Sequence, residues 1–392
     1  TAADADFDGS GTVNFADFIE FAAAFGSSQA RYDLDGNGTV DFPDFVAFAQ
    51  FFGHTIPSTT IVVNSSEDSG ESTLRQALLD ATPQDVITFD PAIFPPDAPD
   101  TISLVNPLSG LSQGHLTIDA SDVGVVIDGS MISESEASGI SIYSNNNVIR
   151  GLHIRNFSFA GIALFGAQDN IIGGDRNKGD GLSGQGNMIT GTGTFGIGLW
   201  GEETSYNTIQ GNIIGTDVSG TVRLGSFSGG VFSDGAHYNL IVDNLIGGYV
   251  DNGVHIGSVS DGHNTVRGNH IGTDTSGVIQ IAYSSSNGVS IGNSGSNVVG
   301  PSNVIAHNGL SGITIQGDES VGNRITRNSI HDNDKVGIEL YDGGNVQLAA
   351  PAIFDFDLQA GTVTGVACAN CTVEVFSDSI DEGEVYEGHT TA

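Results

Sequence analysis

The chain has 392 residues, and its 47 acidic and 11 basic side chains give a formal net charge of −36 at pH 7. So negative a chain is a poor partner for nucleic acid or an anionic membrane surface, and it suits an extracellular protein that meets divalent cations. No apolar run reaches the roughly eighteen residues that a membrane-spanning helix needs, so we expect no membrane span.

Residues 1–53 contain one motif twice, with copies 27 residues apart. Each copy places oxygen-bearing residues at loop positions one, three, five, seven and twelve: Asp6, Asp8, Ser10, Thr12 and Asp17, then Asp33, Asp35, Asn37, Thr39 and Asp44. Gly11 and Gly38 stand at position six, where the loop turns sharply. A hard cation with many oxygen ligands requires this pattern, with the threonines contributing backbone carbonyls. We therefore predict two bound calcium ions.

Each loop leads into a helix with phenylalanines at three-and-four spacing, which predicts an apolar face. The members are Phe18, Phe21 and Phe25 in one copy and Phe45, Phe48 and Phe52 in the other. At these residues the chain resembles a dockerin, with duplicated EF-hand-like calcium loops that end in Asp. The resemblance implies calcium binding and a cohesin-like receptor as partner. Many dockerins carry a hydroxyl pair at loop positions ten and eleven, where this chain has Phe15-Ala16 and Phe42-Pro43.

Residues 54–58 are predicted to be a linker, and a strand and a helix over about 72–81 follow. The helix sequence Ser-Thr-Leu-Arg-Gln-Ala resembles the opening segment of a bacterial secreted β-helix family. Leu74, Ala77, Leu78 and Ala81 form one apolar face. We expect this helix to plug the open end of the coils, which would otherwise expose core and unpaired strand groups.

A short apolar pattern opened by glycine recurs through residues 139–345 and predicts a solenoid, and less regular first coils extend the predicted β-helix to residues 59–345. The glycines are Gly139, Gly161, Gly196, Gly230, Gly253, Gly288, Gly312 and Gly337. Alternating β-branched residues between them indicate strands rather than helices, so the fold class is mainly β, a right-handed parallel β-helix. The longer repeats carry insertions, two of them containing Gly-Thr-Asp, which we expect to project from one side of the rod. Asp217 and Asp274 in these turns are expected to cap their own backbone.

Asparagine occupies one position in successive coils and predicts a hydrogen-bonded ladder of side-chain amides at a bend. The members are Asn147, Asn170, Asn207, Asn239, Asn264, Asn297 and Asn323.

Residues 346–392 lose the repeat and predict a small β-sandwich-like segment, too short to close a core alone. Cys368 and Cys371 predict a small disulfide loop in an oxidising compartment. A redox motif would need a helix after the first cysteine, and a zinc site would need a second pair of ligands.

Catalytic residues are not assigned. Arg150, His153 and Arg155 cluster on neighbouring strand positions, as do Arg324, Arg327 and His331, but we expect no recurrent acidic group to face them.

The favoured function is a secreted, non-catalytic structural rod that attaches or self-assembles end to end into filaments through its terminal modules. The alternative is a polysaccharide-active enzyme, a lyase or glycoside hydrolase, docked to a scaffold by its dockerin-like module. An aromatic or arginine-lined groove along one face would favour the alternative. The expected location is extracellular or at the cell surface.

Overall fold

The computed structural model describes residues 2–8, 10–29, 31–225, 227–259, 261–281, 287–357, 359–378 and 382–392. Within these ranges the chain forms three parallel sheets of ten, nine and eight strands. From Thr117 onward the chain visits sheets 1, 2 and 3 in turn and then returns to sheet 1, so each of these coils contributes one strand to each sheet. The earlier strands Thr60–Val63, Val86–Phe89 and Asp100–Ser103 belong only to sheets 1 and 2. None of the described helices combines the length and apolar character needed to cross a membrane.

The three sheets are defined by their strands. Sheet 1 contains Thr60–Val63, Val86–Phe89, Thr117–Asp119, Val148–Arg150, Ile171–Gly173, Thr208–Gln210, Leu240–Val242, Thr265–Arg267, Val298–Val299 and Arg324–Ile325. Sheet 2 contains Asp100–Ser103, Val125–Asp128, Leu152–Arg155, Met188–Thr190, Ile213–Ile214, Leu245–Ile246, His270–Ile271, Val304–Ala306 and Ser329–His331. Sheet 3 contains Ile140–Ile142, Ala160–Phe165, Phe195–Trp200, Phe227–Asp234, Tyr249–Val259, Asn287–Ser294, Ile313–Gln316 and Ile338–Tyr341.

Strands of successive coils pair in parallel and in register, which confirms the predicted right-handed parallel β-helix. Ile197, for example, lies between Ile162 of the preceding coil and Val231 of the following one. All three side chains are fully buried in one continuous interior cluster. Because side chains alternate along a strand, the residues next to each of these three in sequence face outward.

The predicted helix is present as Leu74–Asp80, with Thr73 as its N-cap. Leu74, Ala77 and Leu78 belong to the interior cluster, so the helix contributes to the core at the first coils, as expected.

The asparagine ladder is confirmed and extends one residue further than predicted. Asn170, for instance, donates its backbone N–H and its side-chain amide to Asn207 Oδ1, at 3.0 and 2.9 Å. Asn345 continues the ladder, because its Oδ1 accepts from Asn323 N–H at 3.0 Å. A second ladder was not predicted. It consists of Asn187, Asn212, Asn244, Asn269, Asn303 and Asn328.

Residues 2–53 contain the helices Ala2–Ala5, Phe15–Ala24 and Phe42–Phe51. They have their own hydrophobic cluster, centred on Phe7, Phe21 and Phe48. The prediction that Phe25 and Phe52 extend the apolar faces is wrong, because both rings are about half exposed, at 53% and 52%. The helices end one residue earlier, and each of these phenylalanines adopts an extended backbone conformation at the C-cap.

The C-terminal strands form two antiparallel hairpins, after a 3-10 turn at Gly344–Gln347. One pairs Ala352–Asp357 with Thr362–Val366, and the other pairs Thr372–Ser377 with Val385–Thr391. The second hairpin contacts the last coil, where Glu374 accepts a hydrogen bond from Arg327 N–H at 2.8 Å. Cys368 and Cys371 are joined by a disulfide bond immediately before it.

Candidate functional site

The N-terminal loops bring their predicted carboxylates together. One oxygen from each of Asp6, Asp8 and Asp17 lies within 4.8 Å of the others. Asp33, Asp35 and Asp44 form an equivalent group. Each group of three contains only carboxylates and no basic side chain. This is the composition of a site for a hard divalent cation.

Backbone groups orient the buried carboxylates of the two loops. Asp17, which is fully buried, accepts from Asp8 N–H at 2.9 Å and from Asn14 N–H at 2.7 Å. Asp44 is also fully buried and accepts from Asp35 N–H at 3.0 Å and from Asp41 N–H at 2.8 Å. These bonds orient the two position-twelve carboxylates within their loops.

The other predicted ligands also lie within these loops. Ser10 Oγ donates to the Thr12 carbonyl oxygen at 3.2 Å, and Asn37 Nδ2 donates to Asp35 at 3.0 Å. Thr39 N–H donates to Asn37 Oδ1 at 2.9 Å. Gly11 and Gly38 have φ values of +81° and +92°, as the sharp turn at loop position six requires.

The two loops differ in their surroundings. Gly11 of the first loop lies against Gln84 of the β-helix, and Asp6 is only 7% exposed, whereas Asp33 of the second loop is half-buried. Burial, together with the like charges of Asp17 and Asp8, raises the pKa of Asp6 from 3.8 to about 6. Removal of water and repulsion both disfavour the ionised carboxylate. A bound cation would instead favour the ionised carboxylate and so lower the pKa of Asp6.

The outer face of sheet 3 carries a second feature, a group of stacked rings that we call the aromatic stripe. It consists of Tyr143, Phe159, Phe165, Phe195, Trp200, Phe232 and His255. None of these rings belongs to the interior cluster. Tyr143 is 54% exposed, and the other rings are half-buried because they cover one another.

Ring contacts in the aromatic stripe run from coil to coil along the rod. Phe165 stacks on Tyr143 with centroids 5.3 Å apart and on Trp200 with centroids 5.0 Å apart. Phe232 stacks on Phe195 at 4.2 Å and on His255 at 5.0 Å. These separations approach the spacing of about 4.8 Å between neighbouring strands, so one ring follows another at each coil.

Two outward rows of sheet 3 build most of the aromatic stripe. The first row is Tyr143, Phe165, Trp200, Asp234, Gly257, Gly292, Gln316 and Tyr341, and the second is Ser141, Ala163, Gly198, Phe232, His255, Ser290, Thr314 and Glu339. Trp200 lies flat on the sheet over Gly198, since a Cβ atom at Gly198 would come within 1.8 Å of the indole ring. Glycine at this position thus allows the ring to lie on the backbone.

Sequence reasoning missed the aromatic stripe, although a signal for it exists. Each member of the first row stands four residues after the glycine that opens its repeat, and each member of the second stands two residues after it. Alignment of the repeats on those glycines would have placed Tyr143, Phe165 and Trp200 in one column.

One aspartate faces each of Arg150 and Arg155, a pairing that the sequence did not predict. Arg150 pairs with Asp119 at 2.5 Å, and Arg155 pairs with Asp128 at 2.8 Å. Each aspartate occupies the register position of its arginine in the preceding sheet strand. Burial, with a smaller effect of Arg155, lowers the pKa of the intervening His153 to about 4, so this imidazole is neutral at neutral pH. These pairs neutralise the arginines locally.

The second basic cluster does not converge on one site. Arg327 lies over the ring of Tyr386 in the C-terminal hairpin, with 5.4 Å between the guanidinium carbon and the centroid. His331 pairs with Asp332 at 2.9 Å, and Arg324 is exposed.

The two Gly-Thr-Asp insertions both follow strands of sheet 2 and so lie on one side of the rod, as predicted, where each folds back as a short hairpin. Thr216 pairs with Arg223 in one insertion, and Thr273 pairs with Gln280 in the other. They help to cover a small apolar cluster on the outside of sheet 2, formed by Met188, Ile213, Leu245 and Ile281. Asp217 and Asp274 cap their own turns as predicted, each accepting backbone N–H groups four and five residues later.

Comparison with known proteins gives similarities in fold. The family described as right handed beta helix region matches residues 278–380. No protein with a curated description matches the sequence significantly.

Similar solved structures include a pectate lyase, with 12% identity and a TM-score of 0.43 over 73% of this chain and 76% of the lyase. An alginate lyase from Paenibacillus sp. str. FPU-7 has 19% identity and a TM-score of 0.40 over 73% of this chain and 98% of that chain. The Dettilon tailspike protein has 14% identity and a TM-score of 0.37 over 71% and 61%. The fold assignment itself rests on the strand pairing described above.

Proposed function

We propose that this protein is an extracellular polysaccharide-binding β-helix, and that the aromatic stripe on sheet 3 is its binding face. The observation that carries the proposal is the coil-to-coil stacking of the rings on the outside of the rod. Clustered rings outside the core mark a binding surface rather than a packing requirement. An aromatic-lined face is also the feature that distinguishes the polysaccharide hypothesis from that of a purely structural rod.

The chemistry of the aromatic stripe suits sugar rings. The face of an aromatic ring carries partial negative charge, and the C–H groups on the flat side of a pyranose present partial positive charge. Neighbouring hydroxyl groups of the sugar remain free to contact the polar residues of the two outward rows. From Tyr143 to His255 the stripe crosses four inter-coil steps, roughly 19 Å at about 4.8 Å per step. An extended polymer matches this shape better than a single sugar.

Binding, rather than cleavage, is the activity we propose. The acid and base candidates of sheet 2, Asp128 and Arg155, are engaged with each other at 2.8 Å. Glycosidases need two carboxyl groups about 5 to 10 Å apart on either side of the scissile bond. The two outward rows contain only Asp234 and Glu339 as acidic residues, and three coils separate them.

We also propose that the N-terminal loops bind two calcium ions. The fit rests on all-oxygen donors, two fully buried carboxylates that backbone groups hold in place, and glycine at the sharp turn of each loop. Calcium would supply the charge that offsets repulsion among the carboxylates. The ions would stabilise a dockerin-like module attached to the binding rod.

A second candidate function, attachment through the ends of the rod, is favoured by exposed apolar side chains at both ends. Phe15 and Phe42 occupy equivalent positions of the duplicated helices and are 64% and 65% exposed. At the other end, Phe354 and Phe356 are exposed on the first C-terminal hairpin. The partner would be a cohesin-like receptor or another copy of the chain. Light scattering in calcium should show loss of assembly in a Phe15→Ser/Phe42→Ser variant; a monomeric parent protein would contradict self-assembly.

The test of polysaccharide binding is affinity electrophoresis of the full-length protein through gels that contain single polysaccharides. Trp200→Ala should weaken retardation at least about tenfold, equivalent to about 1.4 kcal/mol. The matched control is Phe354→Ala, which removes an exposed aromatic ring outside the aromatic stripe and should leave retardation unchanged. Equal retardation of the parent and Trp200→Ala proteins, or no retardation by any polymer, would contradict the proposal.

A further inference from the structure

We infer that the polymer bound at the aromatic stripe is uncharged, and that it lies along the rod axis across successive coils. This inference rests on the polysaccharide-binding function proposed above and specifies its ligand class. The charges on the outward rows and the direction in which the rings repeat both support it.

The direction follows from register. Tyr143, Phe165 and Trp200 are neighbours in three successive coils, and Phe232 and His255 continue the rings through the next two. A polymer along one strand would meet only one or two rings, whereas a polymer across the strands meets a ring at every step. The number of ring contacts is therefore largest along the rod axis.

Neither outward row of sheet 3 contains lysine or arginine, and every position in both rows is described by the structure. The one titratable base is His255, whose pKa is lowered by burial, so it is uncharged at neutral pH. Arg150 of sheet 1 is paired with Asp119, and Arg155 of sheet 2 is paired with Asp128. A carboxylated polymer would thus find no free cation in the two rows.

Acidic residues near the aromatic stripe would also repel a negatively charged polymer. Asp234 is the neighbour of Trp200 in the first row, and both Asp234 and Asp251 are close enough to His255 to influence its titration. Like charges near a partly desolvated face repel more strongly than they would in bulk water. A polyuronate would bring one carboxylate per sugar toward these groups, whereas a neutral polymer brings hydroxyls.

Apart from Glu339, the remaining positions of the rows are small or polar without charge. Ser290, Thr314 and Gln316 follow His255 along the rod. Hydroxyl and amide groups exchange hydrogen bonds with sugar hydroxyls as both donors and acceptors. The face therefore passes from stacked rings to neutral polar groups along one line, with Glu339 at the far end of its row.

The experiment uses pairs of polymers with the same backbone and different charge. Hydroxyethyl cellulose is compared with carboxymethyl cellulose, and carboxyl-reduced polygalacturonate with native polygalacturonate, with xylan and galactomannan as further neutral polymers. Isothermal titration calorimetry of the full-length protein at low ionic strength should show at least about tenfold tighter binding of the uncharged member of whichever pair binds. Raising the salt concentration should narrow that difference.

Variants separate the charge argument from backbone preference. Asp234→Asn combined with Asp251→Asn should raise affinity for the charged member of a pair more than for the neutral member. Equal or tighter binding of the charged member by the parent protein would overturn this inference and leave polysaccharide binding intact. Absence of binding by every polymer, neutral or charged, would instead overturn the proposed function together with the inference.

Discussion

Interior and outward rows of sheet 3 come from the same strands and differ in how strictly they repeat. The interior row reads Ile162, Ile197, Val231, Val254 and Val289 in successive coils. The outward row beside it reads Ala163, Gly198, Phe232, His255 and Ser290. Repeated residues maintain the coil, because each copy meets the same neighbours. The outward row does not pack in the core, so its side chains can differ from coil to coil without disturbing the coil.

The largest expected effect comes from a break in an interior repeat. Asn212 is fully buried, accepts two hydrogen bonds from Asn187 and donates to Ile172 O and Asn244. Asn212→Ala leaves several buried groups unpaired and should lower the free energy of unfolding by about 2–5 kcal/mol. Denaturant unfolding followed by circular dichroism measures it. The exposed Asn177→Ala is the control and should change stability by less than about 0.5 kcal/mol.

The two calcium loops are also repeats, and each has the same predicted ligand positions. Asp17→Ala and Asp44→Ala each remove the position-twelve carboxylate of one loop, so each variant should bind one calcium ion where the parent binds two. Titration calorimetry counts the sites, with Glu20→Gln as the control. In the parent protein, chelation should reduce the helical circular dichroism signal and leave the strand signal in place. A parent protein with fewer than two sites would contradict the prediction.

A substitution in the outward row should have a smaller and more local effect than one in the asparagine ladder. Gly198→Val places a side chain where the Trp200 ring lies and should lift the indole from the sheet, because a Cβ atom would already overlap it. We expect a shift of tryptophan emission and several-fold weaker polysaccharide binding, with little loss of stability. Gly292→Ala is the matched control, since its Cβ atom would have only ordinary contacts, the nearest at 3.6 Å. Unchanged emission in Gly198→Val would argue against the flat placement of Trp200.

The smallest effect is a pH dependence that distinguishes the two calcium loops. Asp6 has a folded pKa of about 6, above its ordinary value of 3.8, so without cation the folded protein binds this proton more tightly than the unfolded chain does. Its favourable contribution is complete below about pH 3.8 and is lost as the pH rises through about 6. In the presence of calcium the pH dependence has the opposite sign, because protons compete with the ion for Asp6. Calcium affinity at the first loop should therefore fall as the pH drops below about 6.

Asp6→Asn tests that assignment. In cation-free buffer, thermal unfolding of the helical signal should depend less on pH between about 4 and 6 in the variant than in the parent. An identical pH dependence in both proteins would show that Asp6 is not the titrating group.

The sequence predicted those parts of the fold that repeat, and it missed those that depend on register. The glycine period, the alternation of β-branched residues and the first asparagine ladder led to the correct β-helix, because every coil restates the same physical requirement. The pairing of Arg155 with Asp128 links residues 27 apart that only coil stacking brings together. Trp200 and Phe165 meet for the same reason, and insertions of unequal length hide that register in the linear sequence. Packing of the Gly-Thr-Asp hairpins on sheet 2 likewise follows from tertiary contacts that local turn chemistry does not specify.

The most direct test of the central claim uses the fact that Trp200 is the only tryptophan in the chain. Its fluorescence should be titrated with a soluble neutral polysaccharide that retards the protein in affinity gels. Stacking of sugar rings on the aromatic stripe predicts a saturable change in emission whose midpoint agrees with the calorimetric affinity, and Phe165→Ala should shift that midpoint to higher polymer concentration. Calorimetric binding with no change in Trp200 emission would place the polysaccharide elsewhere on the rod and contradict the account.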